Sequence, residues 1–100
     1  MSLLIDEKQW RKHMKKFEYE VKKVTGHCSC GYKVGDVIHC EGMNTPDVPF
    51  CGGAYMALFP IQVSLNNGGR FNFEENPKSL GNLACPDNGN VVFRVTMLDE

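Results

Sequence analysis

The sequence predicts an α+β fold: a small antiparallel sheet packed on one kinked central helix, with an N-terminal amphipathic helical arm. Three patterns carry this prediction. Ala54, Leu58, Ile61 and Leu65 recur at spacings of four, three and four, which is one face of a helix. Phe17-Glu18-Tyr19-Glu20-Val21-Lys22 alternates apolar and polar residues, the mark of a strand with one wet face. Val91, Phe93, Val95 and Met97 alternate with Val92, Arg94 and Thr96 in the strongest strand signal of the chain.

The arm comes first. Asp6 with Gln9 three residues later fits a capping box, and Trp10, Met14 and Phe17 follow at four and three. This predicts a short helix from about Asp6 to Lys15, with residues 1–16 as an arm and 17–100 as a compact domain. The apolar side of the arm either packs on that domain or docks a protein partner or a second copy of the chain. The strand from Phe17 continues to Val24 and breaks at Thr25-Gly26. His27 to Tyr32 reads as loop, Lys33-Val34-Gly35-Asp36 as a turn, and Val37-Ile38-His39-Cys40 as a short second strand. Glu41 to Pro49 is loop.

The helix is expected from about Gly53 to Asn66. Pro60 cannot donate to the carbonyl four residues earlier, so a kink or brief break is expected there. Asn66-Asn67-Gly68-Gly69 ends it with residues that accept positive φ. Arg70-Phe71-Asn72-Phe73 reads as a short extended piece, Glu74 to Leu83 as polar loop, and Cys85 to Asn90 as a tight turn. The strands beginning at Phe17 and Val91 are the natural pair, because each has one clean apolar face.

With 42% apolar and 23% charged residues, the composition is that of a globular domain, and 100 residues suffice for a modest core. A formal charge of −1 gives no long-range attraction for nucleic acid or an anionic membrane. The lysines and arginine near the start are interleaved with Asp6, Glu7, Glu18 and Glu20, as on a solvated face. No stretch is long enough to span a bilayer, and no apolar leader opens the chain. Neither nucleic acid nor membrane is expected as a partner, and the expected compartment is the cytoplasm. Five cysteines without an export signal read as core, metal or redox groups rather than a disulfide framework.

The candidate chemistry lies in those cysteines. Cys51 directly precedes the predicted helix, where unpaired N–H groups favour a thiolate. Gly52-Gly53 behind it permits close approach of a substrate, so Cys51 is the residue expected to act if the protein is a thiol enzyme or redox protein. Cys28-Ser29-Cys30 puts two thiols on one side of an extended backbone, beside His27. Sulfur and imidazole donors suit zinc or iron. The chain lacks the paired C-x-x-C knuckles of a zinc ribbon, and buried cysteine also serves as a small apolar group. Cys40 lies on a strand and is the natural core thiol, with His39 on the opposite face. Asp36 and Asp87 sit in turn pairs and are expected to shape turns. Arg70 is either an anion contact or a surface charge.

The series Gly26-x-Cys28, Tyr32-Lys33-Val34-Gly35-Asp36, Phe50-Cys51-x-x-Ala54, Gly68-Gly69, Cys85-Pro86-Asp87 and Val91-Val92-Phe93 resembles a family of small prokaryotic proteins with no established activity. The resemblance spans about Phe17 to Leu98. It implies a sorting of the cysteines: Cys28, Cys51 and Cys85 fall on motif positions, whereas Cys30 and Cys40 are additions of this chain. The reading that follows is an accessory or carrier module, more than an enzyme, that binds a metal or cofactor through Cys28, Cys51 and Cys85. Cys30 and His27 are further candidate donors. Two alternatives stand beside it: thiol chemistry at Cys51, and an interaction module whose cysteines are core.

Overall fold

The computed structural model describes residues 14–26, 30–86 and 89–98. These form strand β1 (Lys16–Val24), strand β2 (Val37–Glu41), helix α1 (Gly52–Asn66), strand β3 (Ser79–Ala84) and strand β4 (Val91–Leu98). The four strands make one antiparallel sheet in the order β2-β1-β4-β3. Two hairpins, β1–β2 and β3–β4, are therefore joined through their inner strands. The predicted pairing of the Phe17 and Val91 strands is this central junction, with Phe17 opposite Met97 and Tyr19 opposite Val95.

Alternation decides which residues meet the helix. Phe17, Tyr19 and Val21, Ile38 and Cys40, and Val91, Phe93, Val95 and Met97 all point to one face and are buried. The opposite residues, including Glu18, Glu20, His39, Arg94 and Thr96, form the polar outer face. α1 covers the apolar face with Ala54, Leu58, Gln62 and Leu65. The expected helix face is thus corrected at one position. Gln62 is fully buried, while Ile61 only packs at the margin of the core.

Burial of Gln62 is compensated by hydrogen bonds. Its Nε2 donates to the carbonyls of Gly42 (2.8 Å) and Asn44 (3.2 Å), and its Oε1 accepts from the Tyr19 hydroxyl. Among the described residues no buried side-chain nitrogen or oxygen lacks a partner. The amide thereby ties the loop after β2 to the middle of the core. Buried polar groups persist where they are satisfied in this way.

α1 passes through Pro60 as one element. Pro60 lies on the exposed side, where a missing N–H disturbs no buried packing. The helix ends as its sequence predicts: Gly68 has φ +97°, and the N–H of Gly69 reaches the carbonyl of Ser64 at 2.7 Å. Lys15 Nζ donates to the Asn66 carbonyl at 3.0 Å and Arg70 Nη1 to that of Leu65 at 3.3 Å, each a cation on the negative end of the helix. The Lys33–Asp36 turn also forms. Asp36 accepts from the Lys33 N–H at 2.9 Å, which gives that carboxylate its turn role.

Two segments differ from expectation. Ser79–Ala84 is a strand, although Ser-Leu-Gly-Asn has little strand propensity. It exists because it pairs with β4, and it does so around an irregularity between Leu80 and Leu83, where Asn82 takes φ +58°. Phe71 to Glu74 is a turn rather than an extended piece, closed by the Glu74 N–H on the Phe71 carbonyl at 3.0 Å. The predicted arm helix falls largely on residues 1–13, outside the described residues. Its last two positions, Met14 and Lys15, are not helical.

The same turn clasps the outer face of the sheet. Glu74 Oε2 accepts from Arg94 Nη1 at 2.6 Å and from the Gly81 N–H at 3.2 Å. Arg94 Nη1 also donates to Ser79 Oγ at 3.0 Å. The guanidinium lies so close over Gly81 that a Cβ there would stand 2.7 Å from Arg94 Cζ and 3.1 Å from Nε. Gly81→Ala is therefore expected to displace the Arg94 guanidinium from Glu74 and cost about 0.5–1 kcal/mol in urea unfolding. In an Arg94→Ala background the same substitution should cost less than half as much. Equal costs in both backgrounds would contradict the clasp.

Candidate functional site

Cys51 is the N-cap of α1, with extended geometry (φ −62°, ψ 120°) and no side-chain capping bond. Its carbonyl accepts the first helical bond, from Tyr55 N–H at 2.9 Å. Its own N–H donates to the Tyr32 hydroxyl at 2.8 Å. Tyr32 is held in turn by rings: its centroid lies 5.4 Å from that of Phe50 and 5.9 Å from that of Phe93. Phe50 and Phe93 themselves meet at 5.8 Å, and Phe50 reaches Tyr19 at 5.5 Å. Edge-to-face and tilted contacts at these separations are favourable, so the residue before Cys51 is seated in an aromatic cluster.

Cys85 closes the β3–β4 hairpin. Its Sγ accepts from the Val91 N–H at 3.4 Å, and its carbonyl accepts from Gly89 N–H at 3.1 Å. The sulfur is thus held in a fixed direction by the turn. The turn leans on the start of α1: a point one Cβ bond out from Gly53 lies 3.9 Å from both Cys51 Sγ and Pro86 Cδ. A third loop joins them. The Thr25 N–H donates to the Asn90 carbonyl at 2.7 Å, and Gly26 abuts the Asn90 side chain. Gly26 and Tyr32, which bracket the β1–β2 loop, are therefore tied to the β3–β4 turn and to Cys51 respectively.

The expected site residues divide as follows. Cys51 and Cys85 come to the same end of the domain and are both half-buried against the core. Cys30 is exposed. Cys28 and His27 lie outside the described residues, as does Asp87. Among the described residues alone, no group of three or more metal-capable side chains occurs. Cys40 is the expected core thiol, 1% exposed. Desolvation pushes its pKa up to about 11, with Asp47 adding to the rise and the Tyr19 hydroxyl pulling the other way. The same burial raises the Tyr19 phenol, helped by Cys40. His39 is exposed on the opposite sheet face. Arg70 serves the helix C-terminus.

Sequence reasoning missed Tyr32. Its spacing to Cys51 carries no periodic signal, and only the fold places its hydroxyl on that N–H.

Fold and site together define a two-layer α+β domain with Cys51 and the Cys85 turn at the N-terminal end of its helix. No protein-family model, curated protein or solved structure matches the chain. No helix among the described residues is long and apolar enough to cross a membrane.

Proposed function

We propose that this protein binds a thiophilic metal or metal-containing cofactor through Cys51, Cys85 and Cys28, as an accessory or carrier module. The convergence of three loops supports the reading. Tyr32 holds the β1–β2 loop to Cys51, Asn90 holds its other side, and Pro86 sets the Cys85 turn against Gly53. Cys51 and the Cys85 turn share this end, and Thr25 and Tyr32, before and after Cys28 in the sequence, are bonded to it. Thiolate donors suit zinc or iron, and an N–H bond to a cysteine sulfur is the outer-shell support such ligands use. Cys30 and His27 sit on the same loop as further donors.

Protein purified without oxygen should carry about one equivalent of zinc or iron per chain by elemental analysis. Cys51→Ser and Cys85→Ser should each drop below about a tenth of an equivalent, while His39→Ala, on the far sheet face, retains the metal. Metal-free wild-type protein would remove this reading. Fast alkylation of Cys51 at neutral pH in that metal-free protein would favour thiol chemistry instead. That alternative draws on the uncapped helix start and on the open space over Gly52, where a Cβ would meet nothing within 4 Å.

A further inference from the structure

The backbone of Cys51 is pinned on both sides. Its N–H is taken by the Tyr32 hydroxyl at 2.8 Å, and its carbonyl by the Tyr55 N–H at 2.9 Å. With both peptide groups committed, rotation about the Cα–Cβ bond is what remains to aim the thiol. The Tyr55 bond is local and comes with the helix. The Tyr32 bond joins residues 19 apart in the chain.

The ring that carries this hydroxyl is held separately, 5.4 Å from Phe50 and 5.9 Å from Phe93 between centroids. Phenylalanine would fill that aromatic seat as well, so packing alone does not call for the oxygen. Tyr32 also ends a short stretch of chain. Thr25, at the other end, donates its N–H to the Asn90 carbonyl at 2.7 Å, in the turn that begins at Cys85. Cys28 falls between Thr25 and Tyr32 in the sequence. One end of the stretch is therefore tied to the Cys85 turn and the other to Cys51.

We propose that Tyr32 is a positioning residue for the thiol site. Its hydroxyl fixes the backbone of Cys51, and with it the direction from which that thiol meets a ligand. The ligand rests on the metal-binding reading above, whereas the hold on Cys51 exists in the metal-free chain too. Supports of this kind around a metal ligand contribute about 10–100-fold to affinity.

Tyr32→Phe keeps the ring and removes the oxygen. The full-length chain, stripped with a chelator, is titrated with zinc against a chromogenic competitor. The variant should bind zinc about tenfold or more weakly than the wild type. A hydroxyl that merely stabilises the fold would lower the melting temperature and leave the zinc affinity of the folded chain unchanged, and that result overturns the proposal. The metal-free proteins supply a second measurement. Iodoacetamide at neutral pH, followed by peptide mapping, should label Cys51 about fivefold faster in Tyr32→Phe, the extra opening that one lost hydrogen bond permits. Cys85, held by the Val91 N–H, should react as in the wild type. If the wild type takes up no zinc, the metal reading falls and the labelling rate decides alone. A faster Cys51 then upholds the role of Tyr32, and an unchanged one overturns it.

Discussion

Replacing Gln62 with leucine should destabilise the domain by about 3–5 kcal/mol, although leucine is the more apolar residue. The change strips two backbone carbonyls, of Gly42 and Asn44, of their donor and leaves the Tyr19 hydroxyl without its acceptor. The buried Gly42 carbonyl and Tyr19 hydroxyl each lose a partner at about 1–3 kcal/mol, the more exposed Asn44 carbonyl at less, and the gain from a leucine side chain does not offset the set. Against a typical total stability of about 5–15 kcal/mol, such a loss moves the urea midpoint far down. Gln62→Glu gives a finer test. A carboxylate can still accept from Tyr19 but cannot donate to either carbonyl, so it should be at least as damaging as leucine at neutral pH. A leucine variant within 1 kcal/mol of wild type would mean the amide network contributes little.

The same region should make the protein sensitive to alkali. Cys40 titrates near 9 when unfolded and is pushed up to about 11 in the core. The folded state therefore holds its proton more tightly. Stability from this group is complete below about pH 9 and is lost as pH rises towards 11, because only the unfolded thiol ionises in that window. Two pH units correspond to about 2–3 kcal/mol. Tyr19 shifts in the same direction and should extend the decline above pH 10. Cys40→Ala should be less stable at pH 7, from the lost volume, yet show a flatter fall between pH 9 and 10. A parallel decline in both proteins would mean that Cys40 is not the group responsible.

How much of this the sequence reveals depends on whether a signal is local. β1, β4 and the body of α1 follow from alternation and helical spacing, because burial on one face imposes those periods directly. β3 does not follow, since Ser79, Gly81 and Asn82 have no strand preference and are held by pairing with β4 around a bulge. Gln62 was hidden by its polarity. The spacing of four from Ala54 to Leu58 to Gln62 pointed to it, but an amide counts against burial until its partners are known. At the site, the N-cap place of Cys51 and the core place of Cys40 could be read from local context. The contact of the Cys85 turn with Gly53, and the grip of Tyr32 on Cys51, span long stretches of chain and leave no trace in spacing.

The strand order has a kinetic consequence. Among the described residues the middle of the sheet joins the first strand to the last, so the apolar face cannot close until Leu98 has left the ribosome. Until then Phe17, Tyr19 and Val21 wait without their neighbours on β4, and the helix has half a floor to rest on. Loop-closure entropy across some seventy residues comes before the reward of pairing, so the central pair is expected to form later than either hairpin.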